Sequence, residues 1–133
     1  MARRTKEEAE ETKKAICLAA LDIFCEKGYS RTTLDEIAKR INLTIGAIYW
    51  HFRNKADILT EIIRKGFTMS QSLFSVNISQ VKSIYDFKEH ILSEVKLIQE
   101  NKTYKKFLFF IIFQLEWSEA FLNKVGNEIQ DII

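Results

Sequence analysis

The sequence predicts an all-α protein, and three observations carry that prediction. Its 133 residues contain no proline and only four glycines, so nothing punctuates the chain as β-hairpins would. Apolar residues recur at three- and four-residue spacing along most of it. Residues that cap helices stand where those patterns begin and end. At 47% apolar residues the chain has ample material for a core, and its length allows one or two small domains.

Residues 1–11 are polar, with Arg3, Arg4 and Lys6, and read as a loose arm able to lie along a phosphate backbone. A helix is predicted from about Glu8 to Lys27, on Ile16, Ala20, Ile23 and Phe24, with Gly28 as its C-terminal cap. It has no recognition role in this reading. It supplies core for the shorter helices that follow, which cannot bury enough surface alone. Cys17 and Cys25 lie on it about 12 Å apart, too far for a disulfide, and read as small core residues of a cytoplasmic protein.

The next stretch, TLDEIAKRINLTIGAIYWHF from Thr33 to Phe52, predicts two short helices joined by a tight turn. Thr33 and Glu36 form a capping box. Leu34, Ile37, Ala38 and Ile41 give the first helix an apolar face. Asn42 tolerates the left-handed backbone of a sharp turn. Thr44 caps the second helix. There Ile48 faces inward, while Thr44, Ile45, Ala47, Tyr49 and His51 face outward. An exposed helix face of small, hydroxyl and aromatic residues, with no acid, solubilises poorly but suits a DNA groove.

Asn54 caps a further helix, with Asp57 favouring its positive end and Lys55 in its first turn, where an ammonium and free backbone N–H groups meet a phosphate. Ile58, Leu59, Ile62, Ile63 and Phe67 form its stripe. Residues 68–82 are softer and polar. Another amphipathic helix is predicted from about Asp86 to Glu100, on Phe87, Ile91, Val95 and Ile98. The segment YKKFLFFIIFQLEW, Tyr104 to Trp117, is apolar on every face. It must be enclosed or must line a cavity. Phe67, Phe107, Phe110, Phe113 and Trp117 are the candidate walls of a pocket for a hydrophobic small molecule, with Gln114 to orient it. A final helix from about Ser118 carries Phe121, Leu122, Val125 and Ile129.

Residues 33–57 carry a resemblance to a known family. The string GAIYWHFRNKADI, with Thr33 and Thr44 before it, resembles the DNA-binding domain of TetR-type repressors, in the AcrR-like branch that controls multidrug efflux pumps. The resemblance runs from Met1 to about Ile63. It implies a three-helix helix-turn-helix DNA-binding domain over residues 1–53. Residues 54–133 then form a connecting helix and part of a helical ligand-binding and dimerisation domain. It also implies an operator in double-stranded DNA, a homodimer, a small-molecule inducer, and no cofactor or metal. The DNA-contacting residues it points to are Thr33, Thr44, Tyr49, Trp50, His51 and Lys55 on the backbone, with Ile45, Gly46 and Ala47 facing bases.

Three departures qualify this expectation. Asn42 stands where the family usually has glycine. Ile45 stands where the efflux branch commonly has arginine, so bidentate contact with guanine gives way to apolar contact, such as with a thymine methyl. The sequence ends mid-stripe at Ile133, before the two helices through which family members pair, and so reads as C-terminally truncated. Two functional readings follow: a repressor released from DNA by a hydrophobic compound, or a truncated chain that binds DNA weakly without ligand response.

Charge fits either reading. The net charge is +2, and residues 1–66 hold 13 Lys and Arg against 10 Asp and Glu, while residues 67–133 hold 7 against 8. The positive excess lies beside the helix-turn-helix. No Gly-rich phosphate loop, metal-spaced cluster or nucleophile motif appears, and His51 and His90 are far apart, which argues against an enzyme. The longest apolar run, Phe107 to Phe113, falls well short of the roughly 18 residues that span a bilayer.

Overall fold

The structure, a computed structural model, describes residues 5–69, 81–115 and 123, except for the side chain of Phe67. The described residues are all-α: α1 (Lys6–Lys27), α2 (Leu34–Arg40), α3 (Ile45–His51), α4 (Lys55–Met69), α5 (Ile84–Glu100), α6 (Lys102–Phe109) and a π-helical turn, Phe110–Gln114. The soft stretch and the final helix expected from the sequence lie outside the described residues, as do Arg3, Arg4 and Trp117.

Local chemistry sets the helix ends. α1 begins at Lys6, two residues before the expected start. Thr5 and Glu8 form a capping box there: the Thr5 hydroxyl accepts from the Glu8 N–H at 3.2 Å and Glu8 Oε2 accepts from the Thr5 N–H at 3.0 Å. Thr33 and Glu36 repeat the device for α2, with the same two distances. α2 then closes on Asn42, whose φ of 54° is left-handed. The Leu43 N–H donates to the Ala38 carbonyl at 2.9 Å and the Asn42 N–H to the Lys39 carbonyl at 3.4 Å. That is a Schellman closure with asparagine in the glycine position.

α1 is the hub of the packing. Ile16, Cys17, Ala19, Ala20, Leu21, Ile23 and Phe24 are all buried, so the middle of α1 is covered over most of its circumference, with Leu18 left partly exposed. α2, α4, α6 and the π turn all pack on it. The core is one cluster, from Ile16 through Ile37, Ile48 and Ile58 to Phe110 and Leu115. Phe110 stacks on Phe24 at 5.4 Å between ring centroids. The π turn explains how Phe110 and Leu115 can both be buried. In an α-helix five residues make about 1.4 turns, which would splay the two apart. The wider turn, closed by the Leu115 N–H on the Phe110 carbonyl at 2.8 Å, brings them to one side.

α5 departs from expectation. Phe87, Ile91 and Val95, read as its buried stripe, are exposed, while Ile98 is half-buried against the core. The buried residue of this helix is Glu94, with Oε1 4.0 Å from Nε2 of His90. α6 is the described helix that packs most on α5, so much of the apolar stripe finds no cover among the described residues.

Candidate nucleic-acid interface

α3 is a seven-residue helix anchored at one point. Ile48 is fully buried against the core, and Phe52 closes the run just beyond. The opposite surface is open. Ile45 is 44%, Tyr49 54% and Trp50 84% exposed, so large apolar side chains project from a short helix into solvent. Thr44 and Gly46 are exposed, and Ala47 and His51 are half-buried. No acidic residue lies between Thr44 and Phe52. Ile48 is inward and Thr44, Ile45 and Tyr49 are outward as the spacing predicts, whereas Ala47 and His51, also expected outward, are partly covered.

The two threonines sit at helix starts. Thr44 Oγ1 accepts from the Ala47 N–H at 3.1 Å, and Thr33 Oγ1 accepts from the Glu36 N–H at 3.2 Å. Each cap uses a lone pair and leaves the hydroxyl proton to donate, for example to a phosphate oxygen.

α2 is held against α1 by two ion pairs, Lys27 with Glu36 and a bidentate Arg40 with Glu26 at 2.8 Å. The hydrogen bond from Lys27, reinforced by the Thr33 N–H, holds the Glu36 carboxyl below the ordinary carboxylate range. Arg40 does the same for Glu26.

Lys55 requires a correction. The sequence placed its ammonium on a phosphate. Instead its Nζ donates to the carbonyls of Tyr29 at 2.7 Å, Thr32 at 3.0 Å and Ser30 at 3.4 Å, and lies 4.3 Å from the centre of the Tyr29 ring. Three donors meet three carbonyls of the α1–α2 turn. Lys55 ties the start of α4 to that turn, and burial lowers its pKa from the ordinary lysine value. A cation that does point outward beside α3 is Arg53, whose side chain is 90% exposed while its Nε holds Asp57 at 3.2 Å. Sequence reasoning passed over Arg53. Its position, one residue past the last buried side chain of the recognition stretch, was the available signal.

The expected small-molecule pocket is not assembled as proposed. Phe110 is buried in the core on Phe24, whereas Phe113 is 72% exposed beside Phe109. Gln114 is half-buried. Phe107 packs against Gly66 of α4 and, of the described members of the expected set, it alone lines an apolar cavity of about 120 Å³ between α1, α4 and α6. Phe67 and Trp117 lie outside what is described. Phe110 and Phe113 diverge because they lie within the π turn, whose wider winding sets residues three apart farther round the axis than an α-helix does.

Comparison with known proteins gives the type of the helix-turn-helix domain. Residues 16–62 match the family described as bacterial regulatory proteins, tetR family. The chain carries a TetR-family domain of the AcrR-like branch. This TetR-type domain is 53% identical over 62 residues to the HTH-type transcriptional regulator AcrR of Shigella flexneri, covering 47% of this chain and 29% of that protein. It is 51% identical over 63 residues to the regulator TtgR of Pseudomonas putida, covering 47% and 30%. These matches span under a third of the relatives' length. Among solved structures, the chain is similar to NalD, the secondary repressor of the MexAB-OprM multidrug efflux pump in Pseudomonas aeruginosa. The TM-score is 0.69 at 29% identity, over 96% of this chain and 63% of that one. The structure of a SmeT–triclosan complex matches with a TM-score of 0.66 at 27% identity, over 91% and 57%. These relatives are transcriptional regulators, not enzymes. No helix among the described residues is long and apolar enough to cross a membrane.

Proposed function

We propose that the chain is a sequence-specific DNA-binding repressor that reads an operator with α3 and controls an efflux-pump operon from the cytoplasm. The observation that carries this reading is Gly46. Glycine inside a helix costs about 0.5–1 kcal/mol relative to alanine. Internal packing does not require it here: a Cβ at Gly46 would meet only Thr44 Oγ1, at an ordinary 3.9 Å, and its backbone is not left-handed. A missing side chain on an exposed helix is explained by a surface that must come very close from outside. The edge of a DNA groove is such a surface.

In this reading Ile45, Gly46 and Ala47 face bases, and Thr33, Thr44, Tyr49, Trp50 and His51 contact the backbone. Arg53 takes the phosphate role that Lys55 cannot. Ile45 makes apolar contact, so thymine methyl groups are its natural partners. A homodimer on two half-sites is the expected assembly, and a hydrophobic small molecule is the expected releasing signal. NalD, named as a repressor of an efflux pump, and SmeT, solved with triclosan, support that choice of target and signal.

Gly46→Ala tests the reading with opposite signs. Thermal unfolding should show the variant slightly more stable, by about 0.5–1 kcal/mol. Duplex binding, followed by fluorescence anisotropy, should weaken at least ten-fold. Unchanged binding in the stabilised variant removes α3 from the DNA. A second reading, a chain that binds DNA weakly and answers no ligand, is favoured by the divergence of Phe110 and Phe113. One chain per duplex in the mass of the complex, with no release by triclosan, selects it.

A further inference from the structure

The three residues assigned to the bases carry no polar side-chain atom. Ile45 is 44% exposed at the start of α3, Gly46 has no side chain, and Ala47 is partly covered. From Thr44 to Phe52 the chain holds no Arg, Lys, Asn, Gln, Asp or Glu, the residues best suited to reading base edges by hydrogen bonds. The helix before it does not supply them. The long polar side chains of α2 are tied up in ion pairs: Asp35 with Lys39 at 2.8 Å, Glu36 with Lys27, and Arg40 with Glu26 at 2.8 Å. Arg53 lies past the far end of α3, with its Nε on Asp57 at 3.2 Å.

An apolar side chain needs an apolar group on the base edge. Among the groups that base pairs present in the major groove, that group is the C5 methyl of thymine. We propose that α3 recognises this methyl group itself, through Ile45, and therefore takes thymine and 5-methylcytosine alike. The inference rests on the assignment of α3 to the DNA groove and adds the chemical group that is read. The N-terminal residues of a recognition helix are the ones that reach base edges, and Ile45 and Gly46 are the first two of α3. A Cβ at Gly46 would meet only Thr44 Oγ1, at 3.9 Å, so the space beside Ile45 is open to an incoming base.

This chemistry makes binding responsive to DNA methylation. 5-Methylcytosine carries its methyl at the same ring position as thymine. It differs in the neighbouring exocyclic group, an amino in place of a carbonyl oxygen. The side chains of Ile45 and Ala47 have no donor or acceptor to tell these two apart. Methylation of a cytosine in the operator thus gives Ile45 a contact that unmodified cytosine does not offer.

The test uses the full 133-residue chain and duplex DNA from upstream of its own gene, followed by fluorescence anisotropy at matched salt. Thymines are replaced one at a time by uracil, which lacks only the C5 methyl. At a contacted position the replacement should weaken binding roughly four-fold, the worth of one buried methyl group. A C·G pair at that position should also bind more weakly, and 5-methylcytosine in the pair should recover about the same factor. Ile45→Val should keep both effects and Ile45→Ala should remove both, with helical circular dichroism retained in each. If Ile45→Ala binds no duplex at all, the uracil and 5-methylcytosine results on the natural chain decide. No position sensitive to uracil, no gain from 5-methylcytosine, or methyl effects that survive Ile45→Ala overturns the proposal. Selective binding without a methyl effect overturns it and leaves α3 on the DNA, whereas equal binding of upstream and scrambled duplex overturns both readings.

Discussion

At the scale of single residues, Lys55 shows how side-chain position overrides sequence position. Its place one residue after Asn54 suggested a phosphate contact. The half-buried carbonyls of Tyr29 and Thr32 take its ammonium instead, and a charged donor withdrawn from such acceptors costs about 1.5–3 kcal/mol. Lys55→Ala should therefore lower stability by about that amount and leave the salt dependence of DNA binding unchanged. Arg53→Ala should do the reverse, reducing the log–log salt slope by about one and leaving stability nearly unaltered, since an exposed ion pair contributes little. Denaturant unfolding and binding at several salt concentrations check both. Asn42 and Ile48 were legible because each depends on local geometry: a left-handed turn residue, and one inward position on a short helix. Lys55 was not, because its acceptors lie more than twenty residues away in sequence.

At the scale of elements, the helix starts carry much of the local stability. Thr33→Ala should cost about 1 kcal/mol by removing the cap of α2. The capping partner gives this a pH signature. Glu36 has a folded pKa below its unfolded value, held there by the Lys27 hydrogen bond and the Thr33 N–H. Its contribution is thus present above the ordinary carboxylate range and is lost as pH falls through the folded pKa. Thermal unfolding of Glu36→Gln should match the natural chain in acid and fall below it near neutrality. A difference that persists in acid would assign the effect to packing. The caps at Thr33, Thr44 and Asn54 were legible as short-range patterns, whereas the Thr5–Glu8 box, which carries the same spacing, was passed over in a stretch read as a loose arm. For α5 the same kind of reading failed. Periodicity identified the helix but not which face has a neighbour, and Glu94, on no apolar stripe, is the residue that is buried.

At the scale of the whole molecule, the organising element is α1 and not the helix-turn-helix. Sequence attention went to Thr33–Phe52 because its motif is specific. The packing centres on Ile16 to Phe24, where residues from α2, α4, α6 and the π turn converge. That convergence is long-range, and no window of sequence displays it. It also explains the fate of the aromatic run after Tyr104. Phe110 belongs to the α1 core through Phe24, so it is unavailable to line a pocket with Phe113. Phe110→Ala should destabilise the chain by about 3–5 kcal/mol, the range for a buried phenylalanine. Phe113→Ala should have little effect on unfolding. Similar losses for the two would return Phe113 to the core.

The central claim is that the exposed face of α3 reads a specific DNA sequence. Its most direct test is fluorescence anisotropy of this chain against duplex DNA from upstream of its own gene and against scrambled duplex of equal length, at matched salt. The account predicts tighter binding to the natural duplex, with Ile45→Ala narrowing the difference and Tyr49→Ala weakening both alike. Equal affinity for the two duplexes, or a preference untouched by Ile45→Ala, would contradict it.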